Sequence, residues 1–297
     1  MNPRGPTNFG DYDDFGRQTA TSSWRWRLRV ALRIALLAAA VVLAGLFLFP
    51  AEAHAGRSCE LARPTARQVQ QGMTLAERTA QALDATGARV VLLARAGQDL
   101  GKYGLRWSHV GIAYKSDAGP WRVAHKLNQC GTAVAGLYRQ GLGEFFLDDP
   151  YRYEAGWSVP SPAVQSQLAA LLAEVPADGI GRLHTPAYSL VSYAWADRYQ
   201  QSNQWVIETL ALAMEPAAIT NRGQAQAWLR FKGYVPTTLT LGPLTRLGGR
   251  MSKANVAFDD HPNDKRFADR IETVTADSVF AWLQRSGLGV AQGTLRL

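Results

Sequence analysis

The feature that most constrains this chain is an unbroken apolar run, Ile34 to Phe49, standing behind Arg25, Arg27, Arg29 and Arg33. Pro50-Ala51-Glu52-Ala53-His54-Ala55-Gly56 follows it, so a basic region, an apolar core and an A-x-A cleavage pattern come in the order of a secretory signal. The run has 16 residues, whereas a helix that crosses a bilayer needs about 20. Cleavage after Ala55 is therefore the expectation, with an uncleaved inner-membrane anchor as the alternative. Either way residues 56–297 are expected to fold outside the cytoplasm, in the periplasm. No adjacent Arg-Arg pair precedes the apolar core, so the twin-arginine route lacks support. Residues 1–55 are read as an export signal with a polar leader and kept apart from the folded part.

What remains is enough chain for one domain with a full core. Removing residues 1–55 takes away six arginines and four acidic residues, so a net charge of +8 falls to +6. That basicity is spread without a Lys/Arg block and no nucleic-acid motif accompanies it, which excludes nucleic acid as a partner. An anionic wall or membrane surface suits it, as does plain solubility. Cys59 and Cys130 are the only cysteines. An even count in an exported chain predicts a disulfide, worth about 4 kcal/mol in the chain-entropy account and leaving no thiol for catalysis.

Helical spacing of Val69, Met73, Ala76, Ala80 and Leu83 predicts a helix over 65–85, ended by Gly87. Strands are predicted over 88–94, 108–114 and 121–127, the last two joined by the hairpin-type turn Ser116-Asp117-Ala118-Gly119-Pro120. A further strand is expected at 153–159. Helices follow at 162–174, 203–214 and 224–233, then a strand at 271–275 and a helix at 277–285. Central strands with helices on either side make an α+β domain, a central antiparallel sheet packed against helices.

Two of the four histidines after residue 55 stand on one hairpin. A turn centred on Asp117 or Ala118 sets His109 opposite His125, Cβ atoms about 5 Å apart. Alternation then groups His109 with Gly111 and Ala113 on one face, and Val110, Ile112 and Tyr114 on the other. Two half-buried histidines satisfied by carbonyls would be the bland outcome; a facing pair suits acid–base chemistry.

Ser108-His109-Val110-Gly111-Ile112 with Trp121-Arg122-Val123-Ala124-His125 resembles the circularly permuted papain-like enzymes: the NlpC-type and YaeF/YiiX amidases and the lecithin retinol acyltransferase group. In that group the first His opens a strand, a residue on the next strand orients it, and the nucleophilic Cys starts a later helix. The resemblance implies a permuted papain-like domain over about 88–215, with Ser202 of Gln201-Ser202-Asn203-Gln204-Trp205-Val206 at the Cys position. Through GQDLGKYGLRWSHVGIAY, LNQCGTA, FFLDDP, SNQWVIE and NVAFDDHPNDKRFADRI the chain is also similar to the bacterial domain of unknown function 2145. That second resemblance implies no reaction.

Serine is not ionised in advance as a papain-type cysteine is. Ser202 would need His109 as general base during attack, with His125 orienting it and helix-start N–H groups holding the oxyanion. Serine at a helix start is equally an ordinary N-cap. Asn203, Gln204, Trp205 and Trp107 are the candidate substrate contacts; core packing is the default for tryptophan. Asp259-Asp260-His261 reads as a cap and turn before a helical stretch over 263–271, against a divalent-cation site that would need further ligands. Asp148-Asp149-Pro150 reads as a turn. No cofactor and no metal is expected.

Three functions stay open: an envelope amidase or esterase working on peptidoglycan peptides or lipids through Ser202, His109 and His125; a non-catalytic envelope binding protein; and a structural module. Membrane contact is expected only through the N-terminal segment, if it is uncleaved.

Overall fold

The protein is described by a computed structural model over residues 26–38, 64–115, 119–148, 150–173 and 178–297. Cys59, the Ala53–Gly56 cleavage pattern and most of the apolar run lie outside the described residues. The chain divides into one unit over 1–52 and a second over 53–297. In the first, residues 26–38 form helix α1. Among the described residues no helix is long and apolar enough to cross a membrane.

The second unit begins with α2 (Ala66–Ala85). Thr65 caps it by accepting the Gln68 N–H while the Gln68 side chain accepts the Thr65 N–H. Gly87, at φ +67°, turns the chain out of the helix in a conformation that glycine adopts without strain. Then come β1 (Val90–Ala96), β2 (His109–Lys115), β3 (Trp121–Asn128), β4 (Ala135–Gly141), α3 (Leu142–Leu147) and β5 (Arg152–Pro160). Helices α4 (Pro162–Ala173), α5 (Asp178–Gly181), α6 (Ser202–Met214) and α7 (Arg222–Phe231) follow. The C-terminal third adds β6 (Thr237–Thr240), α8 (Pro243–Ser252), α9 (Asn263–Phe267), β7 (Arg270–Thr273), α10 (Ala276–Arg285) and β8 (Gly289–Arg296).

Six strands build one antiparallel sheet in the order β4-β3-β2-β1-β5-β8, and β6 pairs with β7 separately. The α+β class with a central antiparallel sheet is thus the observed one. Alternation along the strands splits the core in two. On one face Val91, Leu93, Ala113, Val123 and Trp157 pack against α2 and α3. On the other, Leu92, Ala94, Val110, Ile112 and Ala124 meet α4, α6 and α10. Helix α6 is the buried spine of that second layer, every residue from Ser202 to Ala213 being buried.

The sheet's close packing uses glycine where large rings cross it. A Cβ on Gly156 would lie 2.3 Å from the Trp107 indole, and one on Gly293 would lie 2.3 Å from the Trp157 indole. Trp107 is therefore a core residue laid over β5, its backbone N–H held by Asp277, and it lines no open groove.

The hairpin register differs from the expected one. Ile112 pairs with Ala124 and Lys115 with Trp121, two residues away from the pairing that would put His109 opposite His125. Carried one step along, the register sets His125 against Gly111. A shift of two preserves the face, so the histidines remain on one side as diagonal neighbours.

Candidate functional site

Because Gly111 has no side chain, the ring of His125 leans over it toward the start of β2, where His109 Nε2 lies 2.9 Å from His125 Nδ1. His125 Nε2 lies 2.8 Å from Gln140 Oε1 on β4. A carbonyl oxygen only accepts, so His125 carries its proton on Nε2 and accepts at Nδ1 from His109 Nε2–H. The pair is a directed chain of two neutral imidazoles. Phe145 of α3 closes over both rings, with centroids 5.9 and 5.3 Å away. Beneath it Arg95 donates to the Phe145 carbonyl and pairs with Asp148.

Burial and the Arg95 charge both disfavour protonation. His109 is held well below the ordinary imidazole pKa by burial first, then by Arg95 and His125. His125 is pushed down to about 4, again by burial and then Arg95, with the Gln140 bond opposing. Both rings are therefore uncharged at neutral pH.

Ser202 is on the other side of the sheet. It starts α6, which packs against the Val110, Ile112 and Ala124 face, whereas the histidines share the α2 and α3 face. Strand parity makes the separation complete: the β3 residue that points toward the start of α6 is Lys126, next to His125. The expected Ser202–His109–His125 triad does not assemble.

The start of α6 is itself closed. Gln201, and not Ser202, is the N-cap, its side chain accepting the Asn203 N–H. The buried Tyr188 hydroxyl lies 3.5 Å from Ser202 Oγ. The Asn203 N–H, one of the helix-start donors that an oxyanion would need, is thus already engaged. The expected substrate contacts are internal as well. Asn203 Oδ1 accepts the Val110 N–H of β2 at 2.9 Å, and Trp205, fully buried, donates to the Ile180 carbonyl. Gln204 joins the Ser192 hydroxyl to Glu208.

Those bonds belong to a network that residue patterning did not reveal. Glu208, without solvent exposure, accepts from Arg222 Nε at 2.7 Å and from the side-chain amides of Gln200, Gln204 and Gln226. Arg222 also donates to the carbonyls of Ala196, Asp197 and Tyr199. Lys126 lies wholly buried against Gln200 Oε1 and the Thr185 carbonyl. Burial, and repulsion from Arg222, lower its ammonium pKa to about 7 against the opposing pull of Glu208. The signal available in the sequence was Glu208 one turn after Gln204, but a lysine within a strand reads as solvent-facing.

Asp259-Asp260-His261 caps no helix through its side chains. Pro262 stands at the start of α9 without a side-chain cap. Asp260 instead accepts the Tyr193 N–H and faces His261 Nδ1 at 2.9 Å, while Asp259 pairs with Arg198. The cluster pins the 187–201 loop against the C-terminal third. Among the described residues no three His, Cys, Asp or Glu side chains group as metal ligands would.

The chain matches the family model described as "Uncharacterized protein conserved in bacteria (DUF2145)" over residues 82–283. That span contains the histidine hairpin, α6 and the Asp260–His261 loop. No curated protein matches the chain, and no solved structure does.

Proposed function

Starting from the chain's membership of DUF2145, the uncharacterised bacterial family that it belongs to, we propose that it is an exported envelope protein that binds its target without cleaving it. One observation carries this reading: the sheet stands between Ser202 and the histidine pair. Covalent catalysis needs nucleophile and base within hydrogen-bond reach, and neither partner has a route to the other through a packed sheet.

Binding is assigned to an open depression of about 420 Å³ lined by Lys102, Tyr103, Thr238, Thr240 and Thr245. Three hydroxyls, a cation and an aromatic ring suit a peptide bearing free carboxylates, as peptidoglycan peptides do: the ammonium for the carboxylate, the threonines for amide groups, the ring for an apolar face. The buried histidines then serve as packing for Phe145, neutral and mutually satisfied. Export through residues 1–55 and a Cys59–Cys130 disulfide are part of the same proposal.

The test is to titrate the full chain with muropeptides, following binding by calorimetry and turnover by mass spectrometry. Saturable binding that Lys102→Glu weakens, with no product, is the expected result. Turnover that Ser202→Ala abolishes in a folded protein overturns it.

A further inference from the structure

Helix α8 is inside out. In a surface helix the apolar stripe faces the core, yet in α8 no residue is buried. The side facing the protein is polar and small: Arg246 donates to the Leu241 carbonyl and to Asp269, and Gly249 sits against Val256. Leu244, Leu247 and Met251, spaced along one stripe, are 84%, 56% and 69% exposed. Arg250 and Lys253 stand exposed beside them, and residues 241–258 contain no Asp or Glu. Phe267, two residues before the Asp269 that Arg246 grips, is 70% exposed.

We infer that α8 is a membrane-docking helix that lies in the interface of an anionic lipid bilayer. Its apolar side chains would enter the headgroup boundary while Arg250 and Lys253 meet lipid phosphates. An exposed apolar stripe bounded by basic residues, with low overall hydrophobicity, is the pattern of an interfacial helix. Three features favour lipid over a protein groove. Leu244, Leu247 and Met251 are each more than half exposed; the charge within residues 241–258 has one sign; and the basic and apolar segment at residues 25–49 is of the kind that brings a chain to a membrane. Pro243 at the helix start and the Arg246 clamp hold α8 in place before lipid is met, so little order must be gained on docking. This inference does not rest on the proposed binding function.

Hydrogen exchange on the full chain in vesicles separates α8 from the N-terminal segment, because it reads each stretch individually. With phosphatidylglycerol-containing vesicles, amides of residues 243–252 are expected to slow about tenfold or more, the effect of burying a leucine-sized apolar surface. With phosphatidylcholine alone the protection shrinks, by about fivefold for each basic residue engaged. Leu244→Glu with Leu247→Glu removes the protection while circular dichroism stays native, since neither side chain is buried. Equal exchange with and without anionic vesicles overturns the inference. So does protection that appears without lipid and grows with protein concentration, which assigns the face to a second copy of the chain.

Discussion

Replacing Glu208 by glutamine tests whether the segment around Ser202 is a structural hub. The change keeps the shape and removes one charge. In the native protein the carboxylate takes bonds from Arg222 Nε at 2.7 Å and Nη2 at 3.2 Å, and from Gln200, Gln204 and Gln226 at 2.6, 3.1 and 2.8 Å. Every donor is aimed at an oxygen, so the new amide NH₂ meets N–H groups wherever it turns. Arg222, only 6% exposed, keeps its carbonyl partners but loses its counter-charge. Breaking one side of a buried pair costs about 3–5 kcal/mol. Urea unfolding should show the free energy falling by that amount, as a lower midpoint at unchanged slope. Glu208→Gln with Arg222→Met should cost less than the sum of the two single changes, because the two groups share one network. A loss below about 1 kcal/mol for Glu208→Gln would refute the assignment of this network as the support of α6.

Three further outcomes are expected. Ser202→Ala should lower stability by no more than about 1.5 kcal/mol, the worth of one hydrogen bond; a larger loss by urea titration would mean Ser202 holds more than the Tyr188 contact. Acid should destabilise the fold through the histidines. Their folded pKa values lie below the unfolded value, so between about pH 6.5 and 4 the unfolded chain binds more protons. Stability is then fully present above about pH 6.5 and falls as pH drops through that window, by about 3 kcal/mol for His125 alone. His125→Gln should flatten the fall, and an unchanged pH profile would contradict the neutral-pair assignment. Finally, intact mass of the exported chain after alkylation with and without reductant should reveal two thiols only after reduction; alkylation of Cys130 without reductant would exclude the Cys59–Cys130 bond.

Much of the architecture was legible because periodicity and punctuation agreed. Gly87 ended α2, and the β1, β2, β3 and β5 runs carried dense β-branched and apolar residues. The elements that escaped lack that density. Strand β8 reads GVAQGTLR, an edge strand whose glycine at 293 exists to admit Trp157. Helix α8 carries Gly248-Gly249 and turns its apolar residues outward, against the usual pattern. The histidine pairing was legible in face but not in register, since a turn centre inferred from composition is free to move by one residue, and that moves the pairing by two. What the sequence could not convey was which side of the sheet α6 would take. Strand alternation groups residues by face without saying which helix covers each face, and on that single choice His125 and Lys126 exchange roles. The expectation of a triad failed there, at a tertiary decision that local spacing does not encode.

Covalent labelling reads whether the sheet separates Ser202 from the histidine pair. The full chain is treated with a fluorophosphonate that marks activated serines, and Ser202-containing peptides are weighed. No adduct is expected at Ser202, in wild type and His109→Ala alike. A stoichiometric adduct at Ser202 that disappears in His109→Ala would contradict it.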